Sequence, residues 1–205
     1  MNKREFLETA GAASAAAAVL LASGPSQAQT PAVGVTVLIA YYSLTGNTEK
    51  MAQGVALGAT SVPGTTVILK RVSEVATDDL LSSDAVIVGS PIYLANMSGE
   101  TKTFFDNWRI KFGDLRSGFK MRNKVGAAFV TGGSISLGKD ITMQSMHAAM
   151  LINDMVIVGA GGTFGASATT GPESPGVDEK ELGAARDLGK RVAEFSAVMK
   201  RGSRT

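Results

Sequence analysis

Ser43, Thr45 and Thr48 place three hydroxyls within six residues, interleaved with Leu44, Gly46 and Asn47. Such a run suits an anion: the hydroxyls and the amide donate hydrogen bonds, and Gly46 lets the backbone come close or turn left-handed. No Lys or Arg lies within it, so the donors are neutral, and a phosphate monoester is the anion they fit. Without a ligand, the same residues would simply cap a helix with their hydroxyls in water. A second run, Pro91-Ile92-Tyr93, offers a fixed turn and a ring. A third, Thr131-Gly132-Gly133-Ser134-Ile135-Ser136-Leu137-Gly138, offers backbone donors at close range. Cysteine is absent, which excludes disulfides, thiolate catalysis and zinc-thiolate sites. His147, the only histidine, has no metal-ligand spacing and no nucleophile elbow around it, so it reads as structural or as an edge contact to a ligand. Lys102 and Asp106, one turn apart, read as a surface helix pair.

The elements that must position these runs are legible from periodicity. Val33–Ala40 is apolar and β-branched, as a strand buried on both faces would be. Glu49–Leu57 has helical spacing with Met51 and Val55 inward. The hydroxyl run therefore falls where a strand's carboxyl end becomes a helix's amino end, with free N–H groups and the positive end of a helix dipole. Further strands are expected at Thr65–Val72, Asp84–Ser90 (ending at Pro91), Lys124–Val130 and Met155–Gly159. Helices are expected at Thr77–Leu81, through Trp108 after a lead-in at Asn96–Glu100, at Asp140–Ile152 and at Asp178–Met199, with a small-residue loop from Ala160 to Gly176. Alternating strands and helices predict an α/β fold, a five-stranded parallel sheet in the order 2-1-3-4-5 with helices on both faces. In such a sheet a ligand binds at the carboxyl ends of the strands where the order reverses, which would bring the three runs together.

The pattern Ser43-x-Thr45-Gly46-x-Thr48 directly after a first strand resembles the FMN-phosphate loop of flavodoxins. It has neither the Gly-Lys-Ser/Thr ending of a triphosphate loop nor the Gly-x-Gly-x-x-Gly of a dinucleotide fold. Pro91-x-Tyr93-x-x-x-Met97-Ser98-Gly99-x-x-Lys102-x-Phe104-x-Asp106 resembles the WrbA-type NAD(P)H:quinone oxidoreductases and related FMN reductases. Ala40-Tyr41-Tyr42-Ser43, Met155-Val156-Ile157-Val158 and the stretch from Phe164 to Arg186 are similar to that family as well. The resemblance implies a flavodoxin-like fold, noncovalent FMN, two-electron reduction of quinones by NADPH or NADH, and a homo-oligomer, dimer or tetramer. It implies that Ser43, Leu44, Thr45, Gly46, Asn47 and Thr48 hold the phosphate and that Pro91, Ile92 and Tyr93 line the ring. Thr131, Gly132, Gly133, Ser134 and Gly138 would serve the flavin's pyrimidine edge and ribityl chain. No side chain is required as a catalytic acid or base, because FMN carries the chemistry. Two departures stand out: Ser134-Ile135-Ser136-Leu137 interrupts the family's Gly-rich run, and Ile152-Asn153 replaces a His pair. Asn153 is expected to hydrogen-bond a flavin oxygen in its place, and Trp108 to serve the core or a subunit contact.

Residues 1–28 read as an export signal preceding a single FMN-binding domain, residues 29–205. An Ala-rich apolar run and Ser26-Gln27-Ala28 suit cleavage after Ala28, and Lys3-Arg4-x-Phe6-Leu7 resembles the twin-arginine signal with its first Arg replaced by Lys, with general secretion as the other route. The expected location is periplasmic, with no integral membrane segment in the mature chain. A net charge of +2 with scattered basic residues argues against a nucleic-acid surface. It also argues against the main rival, a flavodoxin-type electron carrier, since such carriers are typically strongly acidic. An FMN reductase or azoreductase of the same fold is the other alternative.

Overall fold

The structure is a computed structural model that describes residues 33–135, 137–171 and 176–203; the expected export signal lies outside them. The chain runs β1 (Val35–Tyr41), α1 (Asn47–Thr60), β2 (Thr65–Arg71), α2 (Thr77–Ser82) and β3 (Ala85–Tyr93). It continues through β4 (Asn96–Met97), α3 (Gly99–Ile110), β5 (Val125–Gly132), α4 (Lys139–Leu151), β6 (Val156–Ile157), β7 (Ala166–Thr169) and α5 (Glu179–Gly202). The parallel strands lie in the order β2-β1-β3-β5-β6, which is the expected 2-1-3-4-5 arrangement with the β4 hairpin strand set aside.

Alternation along β1 builds two cores. Val37 and Ile39 face one side, where they join Met51 and Val55 of α1 and Leu188 and Val192 of α5. Leu38 and Ala40 face the other, joining Phe104 and Trp108 of α3 and Met143 and Met146 of α4. Each fully buried branched side chain contributes about 1.5–3 kcal/mol, so the central strand is held from both faces at once. The helices α1 and α5 touch backbone to backbone: a Cβ on Gly58 would sit 1.9 Å from the carbonyl oxygen of Arg186.

Three elements differ from the sequence expectation. The third strand does not end at Pro91 but runs to Tyr93, with Pro91 opposite Thr131 of β5. Pairing with β1 has already stopped at Gly89, so the missing N–H of Pro91 has no ladder to break on that side. Beyond it, Ile92 and Tyr93 fold back on Met97 and Asn96 as a hairpin. The fifth strand is split: β6 is two residues long beside Val125 and Gly126, and β7 takes up the ladder again beside Phe129–Gly132. The intervening Gly159-Ala160-Gly161-Gly162 lacks side chains that favour a pleated strand and loops out, closed by a bridge between Ala160 and Thr163. The small-residue loop expected from Ala160 therefore contains a strand.

Candidate functional site

The loop after β1 is built around an open helix end. Gly46 is the N-cap of α1 at φ 86°, and no side chain caps the helix. The first N–H groups of a helix have no partner inside it, so here they remain for a ligand. The contrast within the molecule is direct: α3 is capped by Ser98 and α5 by an Asp178–Glu181 capping box. Ser43 is buried and its Oγ accepts from the Gly46 N–H at 3.1 Å, which folds the loop tightly back. Leu44, Thr45 and Gly46 are exposed on its outer side, and a Cβ on Gly46 would meet nothing within 4 Å. The reading in which Thr or Asn side chains cap this helix is not what the chain does.

Thr48 faces inward, and its Oγ1 lies 2.8 Å from Oγ1 of Thr131, the last residue but one of β5. That bond ties the first loop to the third. Thr131 and Gly132 are buried, and Gly132 approaches Ile92 so closely that a Cβ would lie 3.1 Å from its Cδ1. Gly138, φ 75°, is the N-cap of α4, again with no side-chain cap, and it abuts Ala95. Pro91, Ile92 and Tyr93 form the other wall, with Tyr93 44% exposed. Ser43 to Thr48, Pro91 to Tyr93, Thr131 to Ser134 and Gly138 thus meet at the carboxyl ends of β1, β3 and β5, as the switch-point rule requires.

Asn153 does not join them. It precedes β6, whose two residues pair with the first residues of β5, so it sits at the opposite end of the sheet. Its Nδ2 donates to the Ala149 carbonyl at 2.8 Å. The expectation of a flavin contact fails because strand order fixes which end of a helix–strand junction faces the site, and this junction faces away. His147 is likewise buried on α4, about 12 Å along the axis from the open end, and burial pushes its pKa below 6.5. Trp108 belongs to the core, and Lys102 pairs with Asp106 at 2.6 Å in solvent, where such a pair contributes under about 1 kcal/mol.

Sequence reasoning missed Arg71. From the carboxyl end of β2 it donates to the Ser43 carbonyl at 2.9 Å and pairs with Glu49 at 2.6 Å, its guanidinium 5.5 Å from the Tyr41 ring centre. It braces the first loop from outside and offsets the acid in the first turn of α1. Its position at a strand's carboxyl end, next in order to β1, was the available signal. Also missed was Glu100, which accepts a hydrogen bond from Tyr42 and holds that phenol above its usual 10.0. Lys139 lies at the rim, donating to Thr169 Oγ1 at 2.7 Å, and burial lowers its pKa.

The residues present fit FMN. An uncapped helix end under a hydroxyl-lined loop suits the phosphate, and two close-set loops with an exposed tyrosine suit a flat ring. Known proteins agree. A family model described as NADPH-dependent FMN reductase matches residues 70–170. A NAD(P)H dehydrogenase (quinone) of Chromohalobacter salexigens is 31% identical over 200 residues, covering 80% of this chain and 98% of that protein. One from Geotalea uraniireducens is 31% identical over 207 residues, with 80% and 99% covered. Among solved structures, a flavodoxin, WrbA-like protein from Agrobacterium tumefaciens aligns with a TM-score of 0.68 at 24% identity, covering 81% of this chain and 99% of that one. An archaeal flavodoxin aligns at 0.61 with 20% identity, over 78% and 98%, and shares the fold. The chain has the flavodoxin fold and belongs to the NAD(P)H dehydrogenase (quinone) family.

Proposed function

We propose that this protein binds FMN at the three-loop cluster and uses it to reduce quinones with electrons from NADPH or NADH. The observation that carries the reading is the uncapped start of α1 beneath Ser43–Thr48, joined to the β5 loop through Thr48 and Thr131. The N–H groups opening α1 and the Thr45 and Ser43 hydroxyls hold the phosphate by neutral donors and the helix dipole. Pro91, Ile92 and Tyr93 support one side of the ring, and the backbone of Thr131 to Ser134 and Gly138 serves its polar edge. When bound, FMN supplies hydride transfer, so that NAD(P)H, a proton and a quinone become NAD(P)⁺ and a hydroquinone. The three runs hold no Asp, Glu, Lys, Arg or His, so the chain's task is to align flat rings and limit solvent, and the proton comes from water. The exposed apolar side chains Ile135, Leu137 and Ile141 beside this cluster support a homo-oligomer.

The test is anaerobic. The FMN-loaded protein is freed of excess flavin and its visible band recorded before and after NADPH or NADH. Bleaching that benzoquinone reverses is the expected result. A retained band that neither nucleotide bleaches would instead mark an electron carrier served by a protein donor, and loss of the flavin would overturn the phosphate site.

A further inference from the structure

Between α3 and α4 lies a groove of about 300 Å³ that runs from Met97, beside the β3–β4 hairpin, to Arg109, Arg116 and Asn153 at the far ends of these helices. That volume lies at the lower end of small-molecule sites. Its floor is aromatic, from the buried side chains of Phe105 and Trp108. Its rim is cationic. Lys102 is neutralised by Asp106 at 2.6 Å, but among the described residues neither Arg109 nor Arg116 has a carboxylate partner. Two lining residues, each more than nine-tenths buried, also carry a polar atom with no hydrogen-bond partner: the indole N–H of Trp108 and Oδ1 of Asn153. Buried polar atoms are nearly always paired, so these two set this groove apart from an ordinary interhelix crevice.

We propose that this groove is a second binding site, for a small aromatic carboxylate. The ring would lie on the apolar floor and the carboxylate between Arg109 and Arg116, whose planar guanidinium groups suit bidentate pairing. The carboxylate end of the site stands apart from the three-loop cluster: α3 and α4 both start at the carboxyl ends of the strands, and Arg109 and Asn153 lie at their far ends. Asn153 thus takes a place in a site, at the other end of the sheet from the one its sequence position suggested.

Trp108 is the chain's only tryptophan, so its emission is read at this groove, with the flavin band followed beside it to separate a change there from a change in energy transfer to FMN. The FMN-loaded full chain is titrated with benzoate and, in parallel, with benzyl alcohol, which keeps the ring and lacks the charge. Benzoate is expected to alter the emission saturably and to bind about tenfold tighter than the alcohol, the contribution of one charge-assisted pair. The double variant Arg109→Gln, Arg116→Gln is expected to lose that tenfold while keeping its flavin and its native mass. Equal binding of the two probes, or displacement of benzoate by equimolar inorganic phosphate, would overturn the proposal in favour of a greasy crevice or a merely basic surface. A change of native mass in the double variant would overturn it too, by making the groove a contact between copies of the chain. None of these readouts depends on quinone reduction.

Discussion

Thr48 and Thr131, 83 positions apart, share one buried hydroxyl contact, and through it the start of α1 is registered on the end of β5. Thr48→Val keeps the shape of the side chain and leaves the Thr131 hydroxyl without its partner. A loss of about 1–2 kcal/mol in stability is expected, measured by urea unfolding, since an orphaned buried hydroxyl carries a desolvation cost. FMN affinity is expected to fall by about tenfold, read by flavin fluorescence, because the first loop loses its tie. The hydroxyl run itself was legible in the sequence: residue type, spacing and the strand before it sufficed. Arg71 was not singled out, because a lone basic residue closing a strand carries no motif, although the expected strand order already set that strand beside β1. Asn153 failed as a plausible side chain assigned to the wrong end of the sheet.

At the scale of the element, the β3–β4 hairpin is the least predictable piece. Its two turn residues, Leu94 and Ala95, have φ of 49° and 61°. A tight turn of that hand favours Asn-Gly, and a Leu-Ala pair there gives no sequence signal at all. The chain bears the strain because Tyr93 must stand beside the cluster and Ala95 must meet Gly138. Replacing the pair, Leu94→Asn with Ala95→Gly, is expected to stabilise the fold by about 1–2 kcal/mol, seen as a higher urea midpoint at unchanged slope. Strands β1 and β5 were legible because continuous apolar runs buried on two faces have few other readings, and the half-buried edge strand β2 because of its β-branched run. The fifth strand was only half legible: its second segment, Ala-Ser-Ala-Thr, is too small in its side chains to stand out from the glycine-rich loop around it.

For the molecule as a whole, the site is the meeting of three strand ends, each loop fixed by a different part of the sheet. A ligand bridging all three binds the folded state and has no counterpart in the unfolded chain. Free FMN at a hundred times its dissociation constant is therefore expected to add about 2.7 kcal/mol. In a domain of this size that raises the thermal midpoint by about 5–10 °C, and a differential scan with and without FMN checks it. The Thr48→Val protein is expected to gain less at the same FMN concentration.

The split last strand has a consequence of its own. A sheet margin with a long row of free amide and carbonyl groups invites strands from other molecules to add to it. Here that margin offers two residues, an outward loop and then four more. An incoming strand finds no stretch long enough to hold there, so the interruption that hid this element from the sequence blunts one of the sheet's two margins, the other being the continuous β2.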